Sequence, residues 1–158
     1  MASERQILVG AVPVGGGAPV AVQTMTKTET ANLDATMGQI GTVAEAGADI
    51  VRVAVPREQD AEALKTIVAE SPIPVIADIH FNHTLALKAI AAGAHCVRLN
   101  PGNIGGAEKV AEVIELAKQH GTPLRHAASD CRRRGRRSPA RDLRGLYVQW
   151  SRWPQSAR

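Results

Sequence analysis

Two arginines stand where the surrounding sequence reads as core. The stretches "AGADIVRVAVP" (residues 46–56) and "AGAHCVRLNPG" (residues 92–102) align without gaps, so Arg52 and Arg98 occupy one position of a repeated unit. Between them "IPVIADIHF" carries Asp78 and His80, and Asn100 follows Arg98 by two residues. These types suit one kind of chemistry. A planar guanidinium fork matches phosphate oxygens, a histidine can donate or relay a proton, and an asparagine can fix a hydroxyl. "PGNIGG" then offers backbone N–H groups and Asn103 ahead of a helix, another anion-friendly feature.

Such side chains act together only if the elements beneath them bring them to one place. Apolar strands alternate with amphipathic helices along the first 125 residues. The strands are "DIVRVAV", "IPVIADIHF" and "CVRLN", with a fifth starting at "TPLR" and a first expected near Val20 to Met25. Helical spacing sets Leu33, Met37, Ile40 and Ala44 on one stripe, Leu64, Ile67 and Val68 on the next, and Val110, Val113, Ile114 and Ala117 on the last. "TLALKAIAAGA" supplies the remaining helix, with Gly93 at its end. Ahead of them, two apolar runs flank the glycines 15–17, which predicts a short hairpin.

Alternating strands and helices build a parallel sheet with right-handed crossovers. An open doubly wound sheet and a closed barrel both satisfy that. The uniform unit length and the lack of a GxGxxG after the first strand favour the barrel. The fold expected is α/β: a partial TIM barrel of about four βα units plus the start of a fifth strand, preceded by a hairpin.

Strand alternation then sorts the faces. Val51 and Val53 oppose Arg52, Ala77 and Ile79 oppose Asp78 and His80, and Val97 and Leu99 oppose Cys96, Arg98 and Asn100. The apolar faces belong to the helices, so the polar side chains project inward near the strands' C-terminal ends, where such barrels hold active sites. Two interior arginines with one nearby carboxylate leave positive charge that an anionic ligand would compensate. An Arg52–Asp78 pair alone would be equally consistent with a structural role. His83 and His120 are expected on helix surfaces and His95 at a strand entrance, none with a functional role.

Composition sets the bounds. The chain has 158 residues, 44% hydrophobic and 22% charged, with a net charge of +4. That charge is divided: residues 1–125 hold ten Lys and Arg against thirteen Asp and Glu, and residues 126–158 hold nine Arg against two Asp, so −3 and +7 give +4. Tyr147, Trp150 and Trp153 all lie in the second part, while Phe81 is alone in the first. Two units follow: a truncated substrate-binding barrel over 1–125 and an aberrant, Arg-rich, disordered tail over 126–158. The tail reads either as a nucleic-acid arm with stacking aromatics or as a shifted reading frame. Its abrupt start inside a strand motif favours the second, which makes nucleic acid an unlikely partner. No run approaches the ~18 apolar residues of a membrane span, and the start lacks a signal-peptide pattern, so cytoplasmic residence is expected. Cys96 and Cys131 have no metal-ligand spacing, and Cys96 reads as a buried thiol.

The segments "VPVGGGAPVAVQTMT", "DIVRVAVP", "IPVIADIHF" and "CVRLNPGNIGG" closely resemble the N-terminal part of the 4-hydroxy-3-methylbut-2-enyl diphosphate synthase family, over residues 7–125. The resemblance implies a TIM barrel gripping the diphosphate of 2-C-methyl-D-erythritol 2,4-cyclodiphosphate, with reductive ring opening in isoprenoid biosynthesis. It implies a [4Fe–4S] cluster, ferredoxin or flavodoxin as electron donor, and a homodimer. Arg52, Asp78, His80, Arg98 and Asn100 match family positions, and Arg125 matches the arginine opening the fifth-strand motif. After Arg125 the sequence departs from the family, and the fifth-strand asparagine, the later strands and the cluster-bearing domain are lacking. The expectation is a fragment, inactive alone, that cannot bind the cluster. Two other readings stand: another phosphate-binding barrel enzyme akin to pterin synthases, and a noncatalytic nucleic-acid-binding protein with a basic tail. An aldolase is disfavoured because no lysine falls on an assigned strand.

Overall fold

The computed structural model of the chain describes residues 6–100 and 103–126. Two antiparallel strands, β1 (Gln6–Val9) and β2 (Val12–Gly15), lead into β3 (Gln23–Met25), α1 (Leu33–Glu45), β4 (Ile50–Ala54), α2 (Glu58–Glu70), β5 (Val75–Ile79), α3 (His83–Ala91), β6 (Cys96–Leu99), α4 (Ala107–His120) and β7 (Leu124–His126). Strands β3 to β7 form one parallel sheet in sequential order. An open doubly wound sheet reverses its order at a switch point, so unbroken succession is the partial-barrel alternative. The expectations about residues 127–158 lie outside the described residues.

The two faces of the sheet carry different cores. Toward the helices, Val51, Val53, Val75, Ala77, Val97 and Leu99 join Ile90 of α3 and Ile40, Leu64, Ile67, Val113 and Ala117, which belong to the stripes that helical spacing marked out. On the other face Ile50, Ile76 and Cys96, near the starts of β4, β5 and β6, pack with Val9 and Val14. The hairpin therefore caps the N-terminal ends of the strands and makes a hydrophobic floor.

The hairpin's turn is not where the glycine cluster suggested. Val9 pairs with Val12, so the chain reverses at Gly10 and Ala11, with Gly10 at φ +60°. A Cβ at Gly10 would lie 2.9 Å from Pro74 Cγ and 3.0 Å from the His95 ring, so the turn needs glycine for conformation and for space. The first parallel strand is also shorter than expected and starts at Gln23. Val20 is 91% exposed and Val22 is 55% exposed. Among the described residues β3 pairs only with β4, so its approach gains little from apolar burial.

The repeat extends to hydrogen bonds at the strand entrances. Asp49 N–H donates to Val22 O while Val22 N–H donates to Asp49 Oδ2 at 2.7 Å. At the equivalent place His95 N–H donates to Val75 O and Val75 N–H donates to His95 Nδ1 at 3.1 Å. An acidic residue and a histidine thus do the same work, which satisfies a backbone donor that the ladder leaves over. At the opposite end, buried Asp60 accepts from Ala31 N at 2.9 Å and Arg57 N at 3.1 Å, fastening the β3–α1 loop to the start of α2.

Candidate anion site

The residues singled out for chemistry lie one step above the hydrophobic floor. Arg52 follows Ile50 on its face of β4, Asp78 follows Ile76 on β5, and Arg98 follows Cys96 on β6, as two-residue alternation requires. Asp78 and Arg98 are direct register partners, as are Arg98 and Arg125 and, one row lower, Met25 and Arg52.

Asp78, 2% exposed, is the hub. Its Oδ2 lies 3.2 Å from Arg52 Nε, and its Oδ1 accepts from Arg98 Nη1 at 2.5 Å. His80 has just left β5 and is half exposed, yet its Nε2 reaches to 3.3 Å from the same Oδ1 and 3.4 Å from Arg98 Nη1. Which of those contacts is a donation depends on the imidazole tautomer. Arg125 Nη1 donates to Gln23 Oε1 at 2.7 Å. Arg52 also donates to Met25 Sδ, from Nη2 at 3.0 Å and Nε at 3.4 Å.

Electrostatics follow from that crowding. Among the described residues, three guanidinium groups, Arg52, Arg98 and Arg125, crowd one concavity, and the carboxylate of Asp78 pairs with the first two. Burial pushes Arg125 down from its ordinary value, and the neighbouring charges of Arg52 and Arg98 push the same way. Just below, burial pushes the Cys96 thiol up to about 12. It is protonated at neutral pH and poor as a nucleophile or metal ligand.

Arg52, Asp78, His80, Arg98 and Arg125 are thus brought together. Asn100 continues the same chain past β6 and is partly buried, its carbonyl accepting from Asn103 N at 3.0 Å. Asn103 itself is exposed in the turn ahead of α4, whose N-cap is Gly106. Two neighbours escaped the sequence reading, Gln23 and Met25. They share a face of β3 by alternation, a signal present in "QTM", but their partners lie on other strands.

Among the described residues no group of three or more His, Cys, Asp and Glu is placed to hold a metal ion. No helix among them is long and apolar enough to cross a membrane.

Comparison with known proteins gives three findings. Residues 4–128 match the model of the GcpE TIM-barrel domain. The chain is 54% identical over 121 residues to 4-hydroxy-3-methylbut-2-en-1-yl diphosphate synthase (flavodoxin) of Magnetococcus marinus, covering 77% of this chain and 33% of that protein. It is 57% identical over 121 residues to the protein of the same name from Ruegeria sp., covering 77% and 32%. The chain therefore spans about a third of the length of these curated relatives. Among solved structures, dihydropteroate synthase of Yersinia pestis superposes with a TM-score of 0.58 at 14% identity, over 78% of this chain and 46% of that one, a likeness of fold alone.

Proposed function

This chain belongs to the GcpE TIM-barrel domain family, and from that premise we propose that it supplies the diphosphate-gripping strands of a 4-hydroxy-3-methylbut-2-enyl diphosphate synthase. The substrate is 2-C-methyl-D-erythritol 2,4-cyclodiphosphate, opened reductively in isoprenoid biosynthesis. The observation that carries this is the convergence of three guanidinium groups, Arg52, Arg98 and Arg125, in one concavity around Asp78 and Gln23. A diphosphate compensates that charge and matches the guanidinium forks geometrically.

In this reading Arg52, Arg98 and Arg125 hold phosphate oxygens, Asn100 orients the organic part, and Asn103 contacts it from the rim. His80, half exposed with Nε2 3.3 Å from Asp78 Oδ1, handles a proton, and Asp78 orients both His80 and the arginines. Two electrons are required, and the relatives' names point to flavodoxin as their source. Ferredoxin as a substitute donor and a homodimeric assembly belong to the same proposal. A [4Fe–4S] cluster needs thiolate ligands. The described residues offer Cys96 alone, buried and protonated, and do not fit such a cluster. In this proposal the electron-transfer machinery lies in the two thirds of the relatives' length that this chain does not span.

Calorimetric titration of the chain with the cyclodiphosphate tests the reading. Binding that weakens at least ~tenfold in Arg98→Met, with the fold retained by circular dichroism, is the expected result. No binding by the unaltered chain, or equal binding by the variant, overturns it.

A further inference from the structure

Arg52 is engaged from both neighbouring strands. On the β5 side Asp78 Oδ2 lies 3.2 Å from its Nε. On the β3 side its register partner Met25 accepts from Nη2 at 3.0 Å and from Nε at 3.4 Å, both through Sδ. A thioether is a weak acceptor. Here it nonetheless occupies the Nε–Nη2 edge, the fork with which an arginine can clasp a carboxylate through two parallel hydrogen bonds.

The position of that fork matters because Asp78 serves three groups. Its Oδ2 faces Arg52, while its Oδ1 accepts from Arg98 Nη1 at 2.5 Å and lies 3.3 Å from His80 Nε2. An Arg52 that closed its Nε–Nη2 fork on Asp78 would draw on both oxygens and compete with Arg98 and His80 for Oδ1. Sulfur at that edge prevents the closure. One carboxylate can then be divided among two arginines and a histidine.

Resting on the diphosphate reading above, we propose that Met25 is a positioning residue: its thioether holds the Nε–Nη2 edge of Arg52, so that the Nη1–Nη2 end meets a phosphate group and Asp78 Oδ1 stays with Arg98 and His80. The site's affinity for diphosphate thus depends on a hydrogen-bond acceptor at position 25 as well as on the arginines.

The test compares the unaltered 158-residue chain with Met25→Leu and Met25→Gln. Calorimetry measures inorganic pyrophosphate binding, NMR follows the His80 ring nitrogens without ligand, and urea midpoints report the fold. Leucine nearly matches methionine in volume and accepts nothing, so Met25→Leu is expected to keep a urea midpoint close to that of the unaltered chain. It should weaken pyrophosphate binding ~fivefold or more, the scale of one hydrogen bond's net contribution. It should also move the His80 ring resonances as Arg52 closes on Asp78. Met25→Gln, whose amide oxygen can accept from the same edge, is expected to restore the affinity. A merely structural methionine would not tie a His80 signal and an affinity to an acceptor at this position. Unchanged affinity or unmoved His80 resonances in Met25→Leu overturns the inference, as does Met25→Gln binding no better than Met25→Leu. Should Met25→Leu fail to fold, affinity in Met25→Gln close to that of the unaltered chain supports the inference and its loss overturns it. If the unaltered chain takes up no pyrophosphate, the diphosphate reading itself falls and this inference falls with it. Failure in the variants alone leaves that reading standing.

Discussion

Arg98 and Asp78 face each other directly across β5 and β6, with Nη1 2.5 Å from Oδ1 on a carboxylate that water scarcely reaches. Pairing of this kind is hard to break one side at a time, because the partner left behind keeps its charge and loses its compensation.

Asp78→Asn should therefore destabilise the chain by about 3 kcal/mol, the lower end of the range for removing one member of a buried pair, since Arg52 and Arg98 retain some solvent contact. Urea unfolding followed by circular dichroism measures it. Adding Arg98→Met to Asp78→Asn should cost less than the sum of the single changes, because the pair is coupled. Additive losses would mean that the two groups do not support each other.

The paired strand entrances predict a pH response. His95 Nδ1 must be unprotonated to accept from Val75 N–H, and burial lowers the pKa of His95 from its ordinary value of 6.5. The folded state thus holds fewer protons on this residue than the unfolded state does. Its contribution is fully present above the unfolded pKa and is lost as pH falls below about 6.5 toward the lower folded value. His120, on the same rim, is the other titratable side chain lining that surface. In His95→Asp, which copies the repeat-equivalent Asp49, thermal midpoints at pH 7.5 and 5.5 should lie closer together than in the unaltered chain. An unchanged difference would show that the ring's acceptor role carries no stability.

Cys96, at the floor beneath Arg125, should resist thiol reagents in the folded chain, because its thiol is buried and its pKa is pushed up to about 12. In a Cys131→Ser background, modification by a disulfide reagent at pH 8 should wait for unfolding and accelerate with urea. Immediate labelling in buffer would mean that the floor opens on its own.

What the sequence disclosed follows the range of each interaction. Arg52, Asp78 and Arg98 were legible because strand alternation is local geometry, and a repeated "VR" after "AGA" ties two strands to one orientation. The helical stripes at Leu64, Ile67, Val113 and Ala117 were legible for the same reason. Gln23 was hidden because its partner is 102 residues away and meets it only when the sheet bends. The turn at Gly10 was obscured by a richer glycine cluster nearby; the packing of Val9 and Val14 against Ile76 and Cys96 selects the register, and no local pattern encodes that. Val20 and Val22 are apolar, as a strand would be, but the edge they approach has no further neighbour among the described strands to bury them.

The hairpin's seat beneath the sheet has a directional consequence. With Val9 and Val14 packed against Ile50, Ile76 and Cys96, apolar side chains cover the described sheet at the end its strands enter from. In the proposed binding mode a guest settles charged end first on the arginines and keeps its carbon skeleton on the side away from that apolar floor. In that reading, a second protein that exchanges electrons with the skeleton meets it from the side opposite the hairpin.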